Sequence, residues 1–327
     1  MSLAKLAGNT KIKQWLQQAI KLERLAGSLI FTGQSGVGKQ TFALEFAKSL
    51  NCLHIDSEFN SCDKCSNCQR ITTGQFADTR TITPDGQFIK VEQVRSVIDE
   101  VYYRPFEGNY RVYIFESAER MREQAANALL KTLEEPPSTS IIILITSSLD
   151  SLLPTIRSRT IKLYFTPLSA SVLRNYLDNN YPRPEIEQKL LVSLAQGSIG
   201  RALSFDLAEY LERRKQCLEM LETIIIQKNQ KPRLLKLAES LGRKERKEFD
   251  LYLEILLVLL QDLAYLQVSF NVEIINFDIT NQLLNLVNQA TSNFFINLAS
   301  NLIALERDLP RNINRQMALE KILLNLK

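Results

Sequence analysis

Gly33-Gln34-Ser35-Gly36-Val37-Gly38-Lys39-Gln40-Thr41 follows the apolar run Ser28-Leu29-Ile30-Phe31 and leads into a helix-like stretch, residues 41–50. A strand that passes through a glycine-rich turn into a helix, with a lysine closing the turn, reads as a phosphate-binding P-loop. The glycines let consecutive backbone N–H groups turn inward onto phosphate oxygens, the helix N-terminus adds a favourable field, and Lys39 reaches the outer phosphates. The next residue should be Ser or Thr, whose hydroxyl coordinates magnesium. Here it is Gln40, and Thr41 comes one position too late. Binding and hydrolysis of a nucleotide are therefore separate questions for this chain. The alternative is a turn of this composition with a purely structural role.

Working outward, 327 residues with 45% apolar side chains suffice for two or three domains with their own cores. A net charge of +4 permits contact with nucleic acid without arguing for it. The N-terminus has no charged-apolar-small leader, and residues 251–266, the longest apolar stretch, are interrupted by Glu254, Gln261 and Asp262. A cytoplasmic location with no membrane span is expected.

Of five cysteines, Cys52, Cys62, Cys65 and Cys68 fall close together, and the last three sit in Cys62-Asp63-Lys64-Cys65-Ser66-Asn67-Cys68. Without a secretion signal, this density points to metal rather than disulfides. Two-residue gaps let neighbouring thiolates bite one ion in a knuckle, and four thiolates suit tetrahedral Zn2+. Such a closed site has no open position for water, so its role is structural. His54 in place of one thiol and a redox dithiol are the alternatives. Cys217 lies on an apolar helical face and reads as core.

The N-terminal segment 6–25 has helical spacing, residues 71–90 read as irregular with a turn at Pro84-Asp85-Gly86, and 91–103 read as a helix. Arg111-Val112-Tyr113-Ile114-Phe115 is a buried strand ending in Glu116-Ser117-Ala118-Glu119. P-loop ATPases end this strand in an Asp that holds magnesium and a Glu that polarises water. Glu116 and Ser117 occupy those places, and Ser117 cannot act as a carboxylate base. The alternative is an ordinary amphipathic strand end.

Ala125-Ala126-Asn127-Ala128-Leu129-Leu130-Lys131-Thr132-Leu133-Glu134-Glu135-Pro136-Pro137 follows, a helix that two prolines close. With the P-loop, the four-cysteine set and Ser158-Arg159 downstream, this stretch resembles the clamp-loader branch of the AAA+ family over essentially the whole chain, about residues 6–326. The resemblance implies an α/β fold followed by an all-α part. Residues 1–166 would be an AAA+ P-loop domain with a parallel sheet and a zinc-knuckle insertion at 52–68. Residues 167–207 would be a small helical lid and 208–327 a helical collar that joins subunits into a ring. It further implies nucleotide-site positions at Gly33, Gly36, Gly38, Lys39, Gln40, Thr41 and Glu116, with ATP as the ligand to be tested. Thr146-Ser147-Ser148 falls at the family's sensor 1. Gly197-Ser198-Ile199-Gly200-Arg201 resembles its sensor 2, with Gly200 where active ATPases carry an arginine.

Leu152-Leu153-Pro154-Thr155-Ile156-Arg157-Ser158-Arg159-Thr160 is similar to the family's Ser-Arg-Cys element, with Thr160 for cysteine. In the family that arginine enters the neighbouring subunit's nucleotide site. Arg159 is thereby assigned a catalytic role in trans, since a guanidinium can fork onto a γ-phosphate and neutralise developing charge. A surface ion pair is the alternative. Leu309-Pro310-Arg311-Asn312-Ile313-Asn314-Arg315-Gln316-Met317-Ala318-Leu319-Glu320 resembles the end of the collar. The family's partners are gamma or tau ATPase subunits, a delta subunit, the β sliding clamp and, through the complex, primed DNA. Gln40, Ser117 and Gly200 favour a non-motor subunit over the rival, an active gamma/tau-type ATPase. A zinc-knuckle DNA-binding protein is more distant, because only Lys64 and Arg70 supply positive charge near the knuckle. The run Arg243-Lys244-Glu245-Arg246-Lys247 reads as a solvated helix end rather than a DNA contact.

Overall fold

The computed structural model describes residues 2–226, 230–269, 273–309 and 313–325. Contacts divide the chain into two units, residues 1–182 with 195–204, and residues 183–194 with 205–327.

The first unit is built on five strands: β1 (Ser28–Thr32), β2 (Thr79–Ile82), β3 (Arg111–Phe115), β4 (Ser140–Thr146) and β5 (Ile161–Tyr164). They pair in the order β2-β3-β4-β1-β5, and every pairing is parallel. All residues of β1 and β4 are buried, which explains why these segments read as continuous apolar runs rather than as alternating ones. The alternation reappears as two cores. Leu29, Phe31, Val112, Ile114, Ile141 and Ile143 pack on one face with helices Thr10–Lys21 and Lys39–Asn51. Ile30, Tyr113, Phe115, Ile142 and Leu144 pack on the other with Val91–Val101 and Glu123–Glu134.

The sequence left residues 71–90 irregular, yet 79–82 form the edge strand β2, paired to β3 alone. Only Thr79 and Ile82 of this strand are buried, so it carries no apolar pattern to read. Its position is set instead by Asp78, whose carboxylate accepts N–H bonds from Phe106, Glu107 and Gly108, each at 2.8 Å. Because β1, β3 and β4 run parallel, their C-terminal ends bring the P-loop, Glu116 and Thr146-Ser147 to one edge of the sheet, the usual ligand-binding edge of such folds.

The second unit is helical. Helices Leu207–Ile226, Lys231–Gly242, Arg246–Val268, Thr280–Val287, Ser292–Asp308 and Arg315–Leu324 make up the stretch that the resemblance assigns to an all-α part. Arg246–Val268 is long and apolar enough, by length and composition, to cross a membrane. Its apolarity is accounted for by packing, since Phe249, Leu253, Leu256, Leu259, Leu260, Leu263 and Leu266 are all core. Within that core Asp262 is fully buried and accepts from the backbone of Ile275 and Asn276 at 2.8 and 2.9 Å. Of the collar-like motif, Pro310, Arg311 and Asn312 lie outside the described residues, whereas Asn314 caps the helix Arg315–Leu324.

Candidate functional site: the P-loop cavity and the cysteine cluster

The P-loop, the ends of β3 and β4, and residues 199–203 enclose a cavity of about 560 Å³. Its lining includes Gly36, Gly38, Lys39, Gln40, Thr41 and Glu116, so six of the seven nucleotide-site positions converge there. Gly33, the seventh, sits behind the loop, where an added Cβ would lie 2.3 Å from the carbonyl oxygen of Phe165.

Lys39 is buried at the helix N-terminus. Its ammonium donates to the carbonyl oxygens of Gly33 and, at 2.7 Å, Gln34. Burial lowers the pKa of this lysine, and the charge of Glu119 works in the opposite direction. The exposed side chain of Gln40 donates to the carboxylate of Glu116, whose pKa burial raises. A magnesium site would need a hydroxyl from residue 40 and a free carboxylate from the strand end. The first is an amide and the second is occupied by that amide, so these residues do not fit magnesium.

Two further groups were not singled out by motif reading. Glu119 lines the cavity, accepts from Ser147 Oγ at 3.1 Å through one oxygen, and has its other oxygen buried with no hydrogen-bond partner among the described residues. Ser198 Oγ donates to the carbonyl of Ser35 at 3.1 Å, and the Gly200 N–H donates to that of Gly36 at 2.9 Å. The second contact gives Gly200 a physical reason. A Cβ there would lie 2.9 Å from the Gly36 Cα, so no arginine fits while this contact stands. Arg201 points its backbone N–H to Ser198 Oγ and is not among the residues that line the cavity. Ser117 lines the cavity in a left-handed conformation, φ 51°.

Arg159 lies outside the cavity lining. Its Nε is 3.0 Å from Glu134, and another guanidinium nitrogen donates to the carbonyl of Thr155 at 3.1 Å. Both partners of the ion pair are partly exposed, so a surface pair of this kind holds the side chain with little net energy.

The second cluster is compact. The Sγ atoms of Cys52, Cys62, Cys65 and Cys68 all lie within 4.8 Å of one another. Backbone N–H groups bend toward the sulfurs, from Cys62 to Cys52 at 3.3 Å, from Cys65 to Cys62 at 3.3 Å and from Cys68 to Cys65 at 3.5 Å. Burial pushes Cys68 up, and its neighbouring thiols add to that; Cys65, which burial would also raise, falls to about 6 because backbone N–H groups of Cys68 and Leu53 stabilise its thiolate. Four soft ligands in this geometry fit a tetrahedral metal ion. His54 is exposed, and its backbone N–H, not its ring, contacts Cys52 Sγ at 3.4 Å. Cys217 is apart, fully buried, with burial raising it to about 12. In the charge run, Arg243 pairs with Glu239, Lys244 with Glu248 and Arg246 with Asp250, leaving a self-neutralised surface.

Two family models match the chain: "DNA polymerase III, delta subunit" over residues 8–169 and "DNA polymerase III, delta subunit, C terminal" over 208–327. The DNA polymerase III subunit delta' of Bacillus subtilis is 28% identical over 318 residues, covering 97% of this chain and 95% of that protein. The DNA polymerase III subunit tau/gamma of Haemophilus influenzae is 34% identical over 208 residues, 62% of this chain and 30% of that protein. A gamma subunit-related protein from Thermotoga maritima aligns by structure over 94% of this chain and 97% of its own, at 20% identity and a TM-score of 0.47.

Proposed function

Because the chain belongs to the DNA polymerase III delta-prime family of clamp-loader subunits, we propose that it is the non-motor member of such a loader and helps place the β sliding clamp on primed DNA. The observation that carries this reading is the Gln40–Glu116 contact, which puts a protein amide where an active ATPase holds magnesium. Ser117 in place of a base and Gly200 packed on Gly36 in place of a sensor arginine point the same way. Lys39 and the glycine cradle still suit the phosphates of ATP or a related nucleotide, which they would bind and orient.

The contribution to catalysis is assigned to Arg159, in trans. Its carboxylate partner is partly exposed and its competing contacts are weak, so the guanidinium is free to exchange Glu134 for a phosphate presented by a neighbouring gamma or tau subunit. The collar helices, including Arg315–Leu324, would join that neighbour and a delta subunit, and the cysteine cluster would hold structural Zn2+.

The test is reconstitution with gamma or tau and delta subunits, followed by DNA-stimulated ATPase and clamp-loading assays beside the isolated chain. The isolated chain is expected to show no turnover. Turnover by the isolated chain that disappears in Lys39→Ala would establish the rival reading, an active gamma/tau-type ATPase.

A further inference from the structure

We propose that Lys48, on the P-loop helix Lys39–Asn51, is a positioning residue for the metal: it holds Asp63, and through it the Cys62–Cys65 turn, in the shape that four thiolates need around one ion. The proposal rests on the zinc reading of the cysteine cluster and says which part of the chain builds that site.

The P-loop helix meets the insertion in a single row. It ends on a candidate ligand, since Cys52 is its C-terminal cap. Three more contacts run from the same helix to positions interleaved with the other cysteines. Lys48 Nζ lies 3.1 Å from Asp63 Oδ1, in the turn between Cys62 and Cys65. Ser61 Oγ, one residue before Cys62, donates to Glu45 Oε2 at 3.4 Å. Asn67 Nδ2, one residue before Cys68, donates to the Asn51 carbonyl at 2.9 Å. Residues 45, 48 and 51–52 follow one another at three- and four-residue spacing, so they share one face of the helix.

The turn itself needs an outside hold. Asp63 has φ 60°, a left-handed conformation that a residue other than glycine adopts at a cost and keeps only where its surroundings fix it. Its backbone also makes a hydrogen bond that favours the Cys68 thiolate. Asp63 therefore touches the helix with its carboxylate and the ligand set with its backbone, and a shift at one end is passed to the other.

Stability alone is a poor reason for the charges. Lys48 and Glu45 are 3% and 4% exposed, and Lys48 Nζ lies 2.8 Å from Glu45 Oε1. Taking such a pair out of water costs about as much as the attraction returns, so apolar residues of similar size would serve a core as well. An apolar side chain could not, however, select one position for a carboxylate in the neighbouring turn. The ammonium does.

The experiment measures Zn2+ affinity of the purified full-length chain by competition with a chromogenic chelator, and records the absorption of Co2+ bound in its place. Asp63→Asn breaks the contact, tolerates left-handed backbone and leaves Lys48 paired with Glu45. Lys48→Met is made together with Glu45→Gln, so that no carboxylate is stranded in the interior. With circular dichroism unchanged, each change is expected to weaken Zn2+ binding by about tenfold or more and to alter the Co2+ spectrum. Combined in one chain, they should cost no more than about threefold beyond the larger single loss, because both break the same contact. Affinity within about twofold of wild type in either folded variant, or losses that multiply in the combined chain, overturns the proposal and leaves the zinc reading standing. A folded wild-type chain that binds neither ion overturns both.

Discussion

The P-loop cavity and the cysteine cluster both occupy places where related chemistry uses a metal ion, and they treat that ion in opposite ways. At residues 52–68 four sulfurs converge within 4.8 Å, and the backbone N–H groups around them stabilise thiolates without consuming the positions a metal needs. In the cavity Glu116 accepts the Gln40 amide, and Lys39 is bonded to P-loop carbonyls. A metal site is thus defined by what its ligand atoms are otherwise bonded to, as well as by which residues are present. The cysteines have no strong alternative to a cation. Glu116 has one.

The largest effect should come from removing the metal at the cluster. Apparent binding energies of structural zinc reach about 10 kcal/mol or more, so chelation or Cys65→Ser is expected to unfold the knuckle and lower the melting temperature sharply. Elemental analysis should find one zinc per chain. Because the ligands must be deprotonated, zinc should be released on acidification and retained as the pH rises. Full metal content in Cys65→Ser would break the contrast between the two sites.

Next in size is the contrast between Arg159, outside the cavity, and Lys39, inside it. Loss of a trans arginine can cost on the order of 1,000-fold at the site it serves. Arg159→Ala should therefore slow partner-dependent ATP hydrolysis and clamp loading in complexes that still assemble by size-exclusion chromatography. The fall in total activity should be smaller than that, since the loader's other ATP sites continue. Lys39→Ala in the same complexes should change turnover by less than about twofold, since the proposed non-motor role leaves hydrolysis to the partner subunits. Equal rates with wild-type and Arg159→Ala protein would leave this chain as a structural member of the ring.

The smallest effect concerns the contact that shapes the cavity. In Gly200→Ala the new methyl carbon would meet the Gly36 Cα at 2.9 Å, backbone that cannot move freely. Overpacking of this kind costs about 1–3 kcal/mol, and a thermal melt should register the loss. The same variant should weaken any nucleotide binding at the P-loop, because the Gly36 carbonyl loses its fixed direction. An unchanged melt and unchanged binding would mean that the loop holds its shape without residue 200.

Much of the fold was legible because its signals are local. The strand-turn-helix of the P-loop, the apolar strand at 111–115 and the helix that two prolines close at 136–137 each follow from a local pattern, and their elements formed where expected. β2 was not legible. It is placed by Asp78, which bonds the backbone of residues 106–108, almost thirty positions on and more, and such a pin leaves no periodic trace. Asn51 is similar, since its side chain accepts from the backbone of Asn109 and Tyr110 at 2.8 and 3.0 Å.

For the site, residue identity by itself determined which groups stand at the key positions: an amide at 40 in place of a hydroxyl, and a hydroxyl at 117 in place of a carboxylate. The cysteine spacing likewise determined that several thiols could reach one ion, because ligands two residues apart are neighbours in any compact turn. Tertiary structure alone decided what fills the gaps. Gln40 reaching Glu116, Gly200 lying against Gly36 and Glu119 turning into the cavity join residues far apart in the chain. Such contacts depend on the register of parallel strands and the close approach of two backbones, quantities that no stretch of sequence encodes locally.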